Sequence, residues 1–283
     1  MLMFRNLNPG AIGIHADLER TLKIARDAGF DGVDLMLSEA ERLSKEHSIS
    51  FVVSLYERFG MRVGGCGLPF NWLSEDDYER GLGELPRWAK LARDVGCTRF
   101  ITWVPSFSDE RPYDENFRWH VERFKPIANI LGEHGCRLGL EFLGTKSLRI
   151  GHKYEFIHTL DQMIELCDAI GTGNVGLLLD SWHWWTSDGT VEDIRKLSCD
   201  QVVYVHVNDA PAGIPKDEQI DNVRCLPGET GVIDLVGFLG ALRDIGYDGP
   251  VTPEPFSKAL SELPDEEAAL VTARALNRVW EMI

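Results

Sequence analysis

The sequence is short of positive charge. Its 29 Lys and Arg residues stand against 45 Asp and Glu, a formal net charge of −16. A surface of that sign repels phosphate backbones, which argues against a nucleic-acid partner. No apolar run approaches the ~20 residues of a membrane span, and the apolar stretch of "MLMFRNLNPG" is too short for a signal peptide. The expectation is a cytoplasmic protein with no membrane partner. The six cysteines (66, 97, 136, 167, 199 and 225) include no C-x-x-C pair and no zinc-knuckle spacing. They read as small buried hydrophobes in a reducing compartment. Low-complexity segments and obvious linkers are also missing. A nucleotide fingerprint is absent in substance: "GTGNVG" at 171–176 matches G-x-G-x-x-G, but it follows a helical pattern and opens a strand, the reverse of the order that cradles a pyrophosphate.

What is present is a rhythm of glycines. Gly29, Gly60, Gly96, Gly135, Gly171 and Gly246 each end a helical pattern and precede a short apolar run. A glycine just past a helix end supplies the left-handed cap, and runs apolar on both faces suit parallel strands covered on both sides. Successive gaps are 31, 36, 39, 36 and 75 residues; the last brackets "VVYVHVN" and counts as two units. With a first strand near "AIGI", eight strand–helix units predict a single-domain closed (β/α)8 TIM barrel over residues 1–283, rather than an open doubly wound sheet. Strands are expected near 11–14, 31–36, 61–66, 98–103, 137–142, 175–180, 202–208 and 249–254. Helices are expected near 17–28, 48–59, 76–95, 115–134, 155–170, 190–198, 234–245 and 264–282.

Four apolar runs finish on polar residues: "CRLGLEFLG" with Glu141, "VGLLLDSWHWW" with Asp180, "VVYVHVND" with His206 and "PVTPEPF" with Glu254. In such a barrel chemistry sits at the C-terminal strand ends, and strands five to eight are neighbours. Taken singly, Glu141 reads as a salt-bridge partner, Asp180 as a helix cap and His206 as a satisfied core histidine. Taken together, three carboxylates in apolar company repel one another and are costly to bury, and a divalent cation relieves both problems. Three oxygens and one imidazole suit Mn2+ foremost, then Mg2+ or Co2+, with Zn2+ also compatible. The expected cofactor is one such ion. Four protein ligands leave two octahedral positions for a carbonyl and the adjacent hydroxyl of a substrate.

The order Glu, Asp-x-x-His, His, Glu, carried by "GLEFLG", "LLLDSWH", "HVNDAP", "RCLPGETGVIDL" and "EPF", resembles the xylose isomerase-like TIM barrels. Within them it is most similar to the sugar phosphate isomerase/epimerase group: ketose 3-epimerases, inosose isomerases and inosose dehydratases. The resemblance covers nearly the whole chain and specifies a superfamily better than a substrate. It implies that Glu141, Asp180, His206 and Glu254 hold the metal, that Glu141 and Glu254 are the catalytic acid/base pair, and that His183 contacts the substrate. It also implies a homodimer or homotetramer. The implied activity is a metal-dependent isomerase or epimerase of a keto-sugar or cyclitol, working through an enediolate. The alternative is a lyase or dehydratase on a keto-sugar or inosose, including β-elimination of a 3-keto-glycoside. The chemistry is coherent, because a metal on a ketose carbonyl acidifies the neighbouring C–H while one glutamate takes the proton and the other returns it.

The sequence departs from this pattern in one place. Where several relatives carry a substrate-gripping arginine about six residues after the strand-seven histidine, this chain has Ala212. The next arginine, Arg224, is the candidate for that role, or else a salt-bridge partner of Asp217 or Asp221. No glycine-rich phosphate cradle follows strands seven and eight, which favours a free polyol, keto-sugar or cyclitol. Sugar C–H faces pack on aromatic rings, so Trp103 and Phe70 are candidate substrate-binding walls, with Trp72, Trp182, Trp184 and, less so, Trp185. His15, at the expected tip of strand one, and His152 and Lys153 are further candidates for the mouth. A barrel-type DNA-repair nuclease would need extra ligands on strands two to four and a basic rim, which are missing. A non-catalytic sugar-binding barrel would tolerate loss of one glutamate, yet both are present.

Overall fold

The computed structural model describes residues 3–283. In chain order the strands are β1 (Phe4–Leu7), β2 (Gly32–Val33), β3 (Arg62–Val63), β4 (Cys66–Gly67), β5 (Arg99–Val104), β6 (Phe107–Ser108), β7 (Arg137–Phe142), β8 (Tyr154–Glu155), β9 (Val175–Asp180), β10 (Val202–Val207) and β11 (Pro250–Pro253). Nine of them form one sheet in the order β3-β2-β1-β11-β10-β9-β7-β5-β4, every pairing parallel. Its two edges, β3 and β4, are pieces of one strand broken at Gly64 and Gly65. The sheet therefore closes on itself with eight staves, a (β/α)8 barrel. β6 and β8 make a small antiparallel pair within the loops that follow β5 and β7.

The helices are set by local chemistry. The helix Leu18–Ala28 starts on Asp17, whose side chain accepts from the Arg20 N–H, and stops at Gly29 with φ 95°. The helix Glu75–Val95 starts on Ser74 and carries Glu75, Asp76 and Asp77 in its first turn, where the helix dipole favours them. Between helices and barrel the strands are buried on both faces; all six residues of β10 and all four of β11 are covered.

The first strand is Phe4–Leu7, not 11–14. "GAI" at 10–12 is a single 3-10 turn that ends on Gly13. The true strand hides behind its polar residues. Arg5 pairs with Asp31 at 2.8 Å, and Asn6 is buried in a polar layer inside the barrel. His15 is consequently exposed in the loop after β1, not at a strand tip. The third stave is split where one strand was expected. The helix expected from 155 begins at Leu160, because Tyr154 and Glu155 pair with β6. The expected helix 190–198 is a short segment, Val191–Arg195, preceded by another at Ser181–Thr186. A helix at Leu37–Glu46 was not expected.

The polar layer joins five staves. Tyr204 OH donates to Asp34 (2.7 Å), Thr252 Oγ1 donates to Tyr204 OH (2.6 Å), and Asn6 Nδ2 and the Gly65 N–H both donate to Asp34 Oδ1 (2.8 Å each). A Cβ at Gly64 would lie 2.3 Å from Asp34 Oδ1, so the gap in the third stave makes room for this carboxyl. Burial pushes Asp34 up to about 6, against hydrogen bonds that favour its charged form. A carboxyl raised in the folded state holds its proton more tightly there. Its contribution to stability therefore falls as pH rises from about 4 to about 6, by roughly 3 kcal/mol at neutral pH. Asp34→Asn is expected to flatten this part of the pH profile and to raise stability at pH 7. Urea unfolding of both proteins at pH 4.5 and 7 checks it, and parallel profiles would contradict it.

Candidate active site

β7, β9, β10 and β11 are adjacent staves, and their C-terminal ends bring Glu141, Asp180, His206 and Glu254 together. One ligand-capable atom from each lies within 4.8 Å of all the others. His206 Nδ1 is 3.4 Å from Glu141 Oε1, 3.4 Å from Glu254 Oε2 and 3.9 Å from Asp180 Oδ2. Burial raises the Glu141 carboxyl, as it does that of Glu254, where His206 and Arg224 oppose the rise. Burial works against charge on His206 too, but Glu254, Glu141 and Asp180 outweigh it and hold the imidazole up at about 9. Three carboxylates and one imidazole, all aimed at one point, are a donor set that fits a divalent cation.

Asp180 does two jobs with its two oxygens. Oδ1 accepts from the N–H groups of Trp182 (2.6 Å) and His183 (3.4 Å), capping the helix Ser181–Thr186. Oδ2 faces the cluster and lies 2.9 Å from Arg224 Nη1. The cap and ligand readings of this residue are therefore compatible. His183, on the helix so capped, is buried, and its Nδ1 accepts from the Gly144 N–H at 3.2 Å. Burial and the Arg224 charge push its pKa down to about 4, so the ring is neutral, and Arg224 Nη2 lies 3.2 Å from its Nε2. That nitrogen is 3.4 Å from Asp221 Oδ1. A Cβ on Gly144 would come within 2.1 Å of the His183 carbonyl oxygen, so the close approach needs glycine.

Arg224 is the buried cation of the site. Nη1 bonds Asp180 Oδ2 and Glu254 Oε2 (3.1 Å), and Nη2 bonds Asp221 Oδ1 (2.7 Å). Its guanidinium lies 4.8 Å from the Trp182 ring centre and 4.6 Å from that of Phe256. Asp221, one of the two carboxylates weighed as its partner, is therefore in contact; Asp217 instead meets Lys146. The long loop after β10 is folded back by a backbone bridge between Asp209 and Cys225, which sets Arg224 beside the strand ends. Buried Asp209 pins that fold, accepting from the N–H groups of Ala210, Thr230, Gly231 and Ile233 at 2.7–3.0 Å. Asp209→Ala is expected to cost roughly 3 kcal/mol, because these amides lose their shared acceptor. It should also raise KM by loosening Arg224. Denaturation and steady-state kinetics check both, and an unchanged KM would contradict the link to Arg224.

A cavity of about 610 Å3 opens over the cluster, lined by Glu141, Glu254, His183, Arg224, Asp221 and Asn222 and by apolar side chains that include Trp103. His206 faces a smaller adjoining cavity of about 270 Å3. Other expected wall residues lie elsewhere. Phe70 packs against Gly81 and Tyr78, because its ring follows the chain into the helix Glu75–Val95. Trp72 is buried and donates from Nε1 to Thr102. Trp182 is buried beneath Arg224, Trp184 packs on Phe238, and Trp185 lies under Lys216. The helix Ser181–Thr186 turns these rings into the protein instead of over the pocket. His152 stacks on Phe107, and Lys153 lies over Tyr154. His15 borders a separate cavity beside Asn8 and Met36. Asn208 and Asp209 were passed over in the sequence, although the polar pair directly after the histidine of "VVYVHVND" was the available signal.

A profile described as xylose isomerase-like TIM barrel matches residues 22–279. The inosose isomerase of Bacillus velezensis is 24% identical over 260 residues, covering 89% of this chain and 88% of that one. The 3-dehydroshikimate dehydratase of Pseudomonas aeruginosa is 31% identical over 268 residues, covering 94% of this chain and 40% of the longer protein. The structure of a xylose isomerase domain protein from Alicyclobacillus acidocaldarius matches with a TM-score of 0.85 at 30% identity, with 99% of each chain covered. A profile match that runs from the first long helix to the last makes this chain a member of the xylose isomerase-like TIM barrel family.

Proposed function

We propose that the chain is a divalent-metal-dependent isomerase or epimerase of a keto-sugar or cyclitol, with Mn2+ as its ion and Glu141 and Glu254 as its acid/base pair. The observation that carries this reading is the placement of the two glutamates. Both line the same cavity, and each lies 3.4 Å from the same imidazole nitrogen. Glu141, Asp180, His206 and Glu254 would hold the ion. When bound, it would supply Lewis acidity toward a carbonyl oxygen and so make the neighbouring C–H more acidic.

The side chains do the rest. One glutamate removes the proton from the carbon beside the carbonyl, and the other delivers a proton to the opposite face or to the next carbon. Burial raises both carboxyls in the metal-free site, and a bound cation would oppose that rise. His183 and Arg224 line this cavity beside Glu254 and give it a polar edge for substrate oxygens, and Trp103 offers a ring to the C–H face of a sugar. The 31% identity to a dehydratase favours a second reading, a lyase that loses a β-substituent from the same carbanion.

The test is solvent exchange. Metal-loaded enzyme in D2O is given a panel of keto-sugars and inososes and followed by NMR. Deuterium entering beside a carbonyl supports the proposal, and the product separates isomerase from lyase. Absence of exchange across the panel with metal bound would count against it.

A further inference from the structure

The cavity over the cluster is larger and more apolar than a sugar-like ring needs. Its volume of about 610 Å3 equals roughly 20 waters at ~30 Å3 each, against about a dozen heavy atoms in a hexose. Its polar groups are one connected set of Glu141, Glu254, His183, Arg224 and Asp221, with Asn222 next to Asp221 in the chain. The remaining wall is Trp103, Leu143, Leu148, Phe107, Leu73 and Phe256, with Pro105. Leu73, Pro105 and Phe107 also border a neighbouring cavity of about 370 Å3 that none of the four cluster residues lines; its other walls are mostly polar, among them Glu75, Asp109, Glu110 and Arg111, so the apolar wall belongs to the cavity over the cluster.

A hydroxyl laid against Leu148 or Phe107 would give up its water without finding a partner, whereas an apolar group there gains by being covered. The rim repeats the pattern. Of nine exposed large apolar side chains among the described residues, seven stand at strand ends or in loops on this face, and Leu73, Trp103 and Phe256 belong to the cavity itself. Phe256 keeps its ring at the mouth although its backbone sits at φ 41°, a region bulky residues avoid.

Resting on the function proposed above, we propose that the substrate is amphipathic: a hydroxylated, carbonyl-bearing ring at the Glu141–Glu254 end, joined to an aromatic-sized apolar group that lies against Trp103, Phe107 and Leu148. A second copy of the chain covering this mouth is the competing occupant. The concave shape favours the ligand, because three of the exposed apolar side chains are walls of the cavity rather than a raised patch.

Paired methyl and phenyl glycopyranosides carrying a ring ketone at C3, gluco and galacto in both anomers, are titrated calorimetrically into Mn2+-loaded protein. In at least one pair the phenyl member should bind ten or more times tighter. That advantage should fall at least fivefold in Leu148→Asn, with the methyl member unchanged. Phenyl and methyl members that behave alike in every pair, including a shared failure to bind, would overturn the proposal. So would a dimer that Trp103→Arg dissociates, found without any phenyl preference. Deuterium exchange on free ketoses in the same preparation keeps the two readings apart. Exchange without phenyl preference removes only this inference, and phenyl preference without exchange removes only the isomerase reading.

Discussion

Glu254→Gln is expected to lower turnover and deuterium exchange by about 10³-fold while leaving the barrel folded. Glutamine keeps the shape of the side chain and an oxygen for Arg224 Nη1, which now lies 3.1 Å from Glu254 Oε2. It loses the charge and the ability to take a proton. Glu141→Gln should be as severe, because the second carboxylate completes the transfer that the first begins. Measuring exchange and net turnover in both variants tests the pair. Either variant retaining a tenth of wild-type activity would show that its carboxylate does not move the proton.

The second large effect is on stability. Without a cation, Glu141, Asp180 and Glu254 crowd one another, offset by His206 and Arg224. A divalent ion that binds only the folded cluster stabilises it by mass action, about 4 kcal/mol at a thousandfold excess over Kd. Urea unfolding with saturating Mn2+ and with a chelator should differ by about that amount. His206→Asn should abolish most of the difference, since it removes the nitrogen that lies 3.4 Å from each glutamate. Equal stability with and without the ion in the wild-type protein would contradict the account.

How far the sequence could be read depended on where polarity falls. β7 and β9 occupy 137–142 and 175–180 as expected, because helices cover them outside and other staves inside, leaving runs that are apolar apart from Arg137 at the start of β7 and the polar Glu141 and Asp180 toward their ends. β1 was missed for the opposite reason: its Arg5 and Asn6 serve an ion pair and the interior polar layer, so a search for apolar runs passed over it. The polar strand endings were visible because each interrupts an apolar run. Asp221, three residues from Arg224, was visible as its partner, but the approach of Arg224 to Asp180 and Glu254 was not, since it depends on a bridge between Asp209 and Cys225. The tryptophans after Asp180 were read as walls. The helix that Asp180 caps turns them inward, and that orientation depends on tertiary packing.

The account rests on one metal ion held by four side chains. A crystal grown with Mn2+ and measured for anomalous scattering tests it most directly. The account predicts one strong peak within bonding distance of Glu141, Asp180, His206 and Glu254, with one equivalent of metal in the dissolved protein. No peak at that point, or a peak elsewhere with these four side chains unliganded, would contradict it.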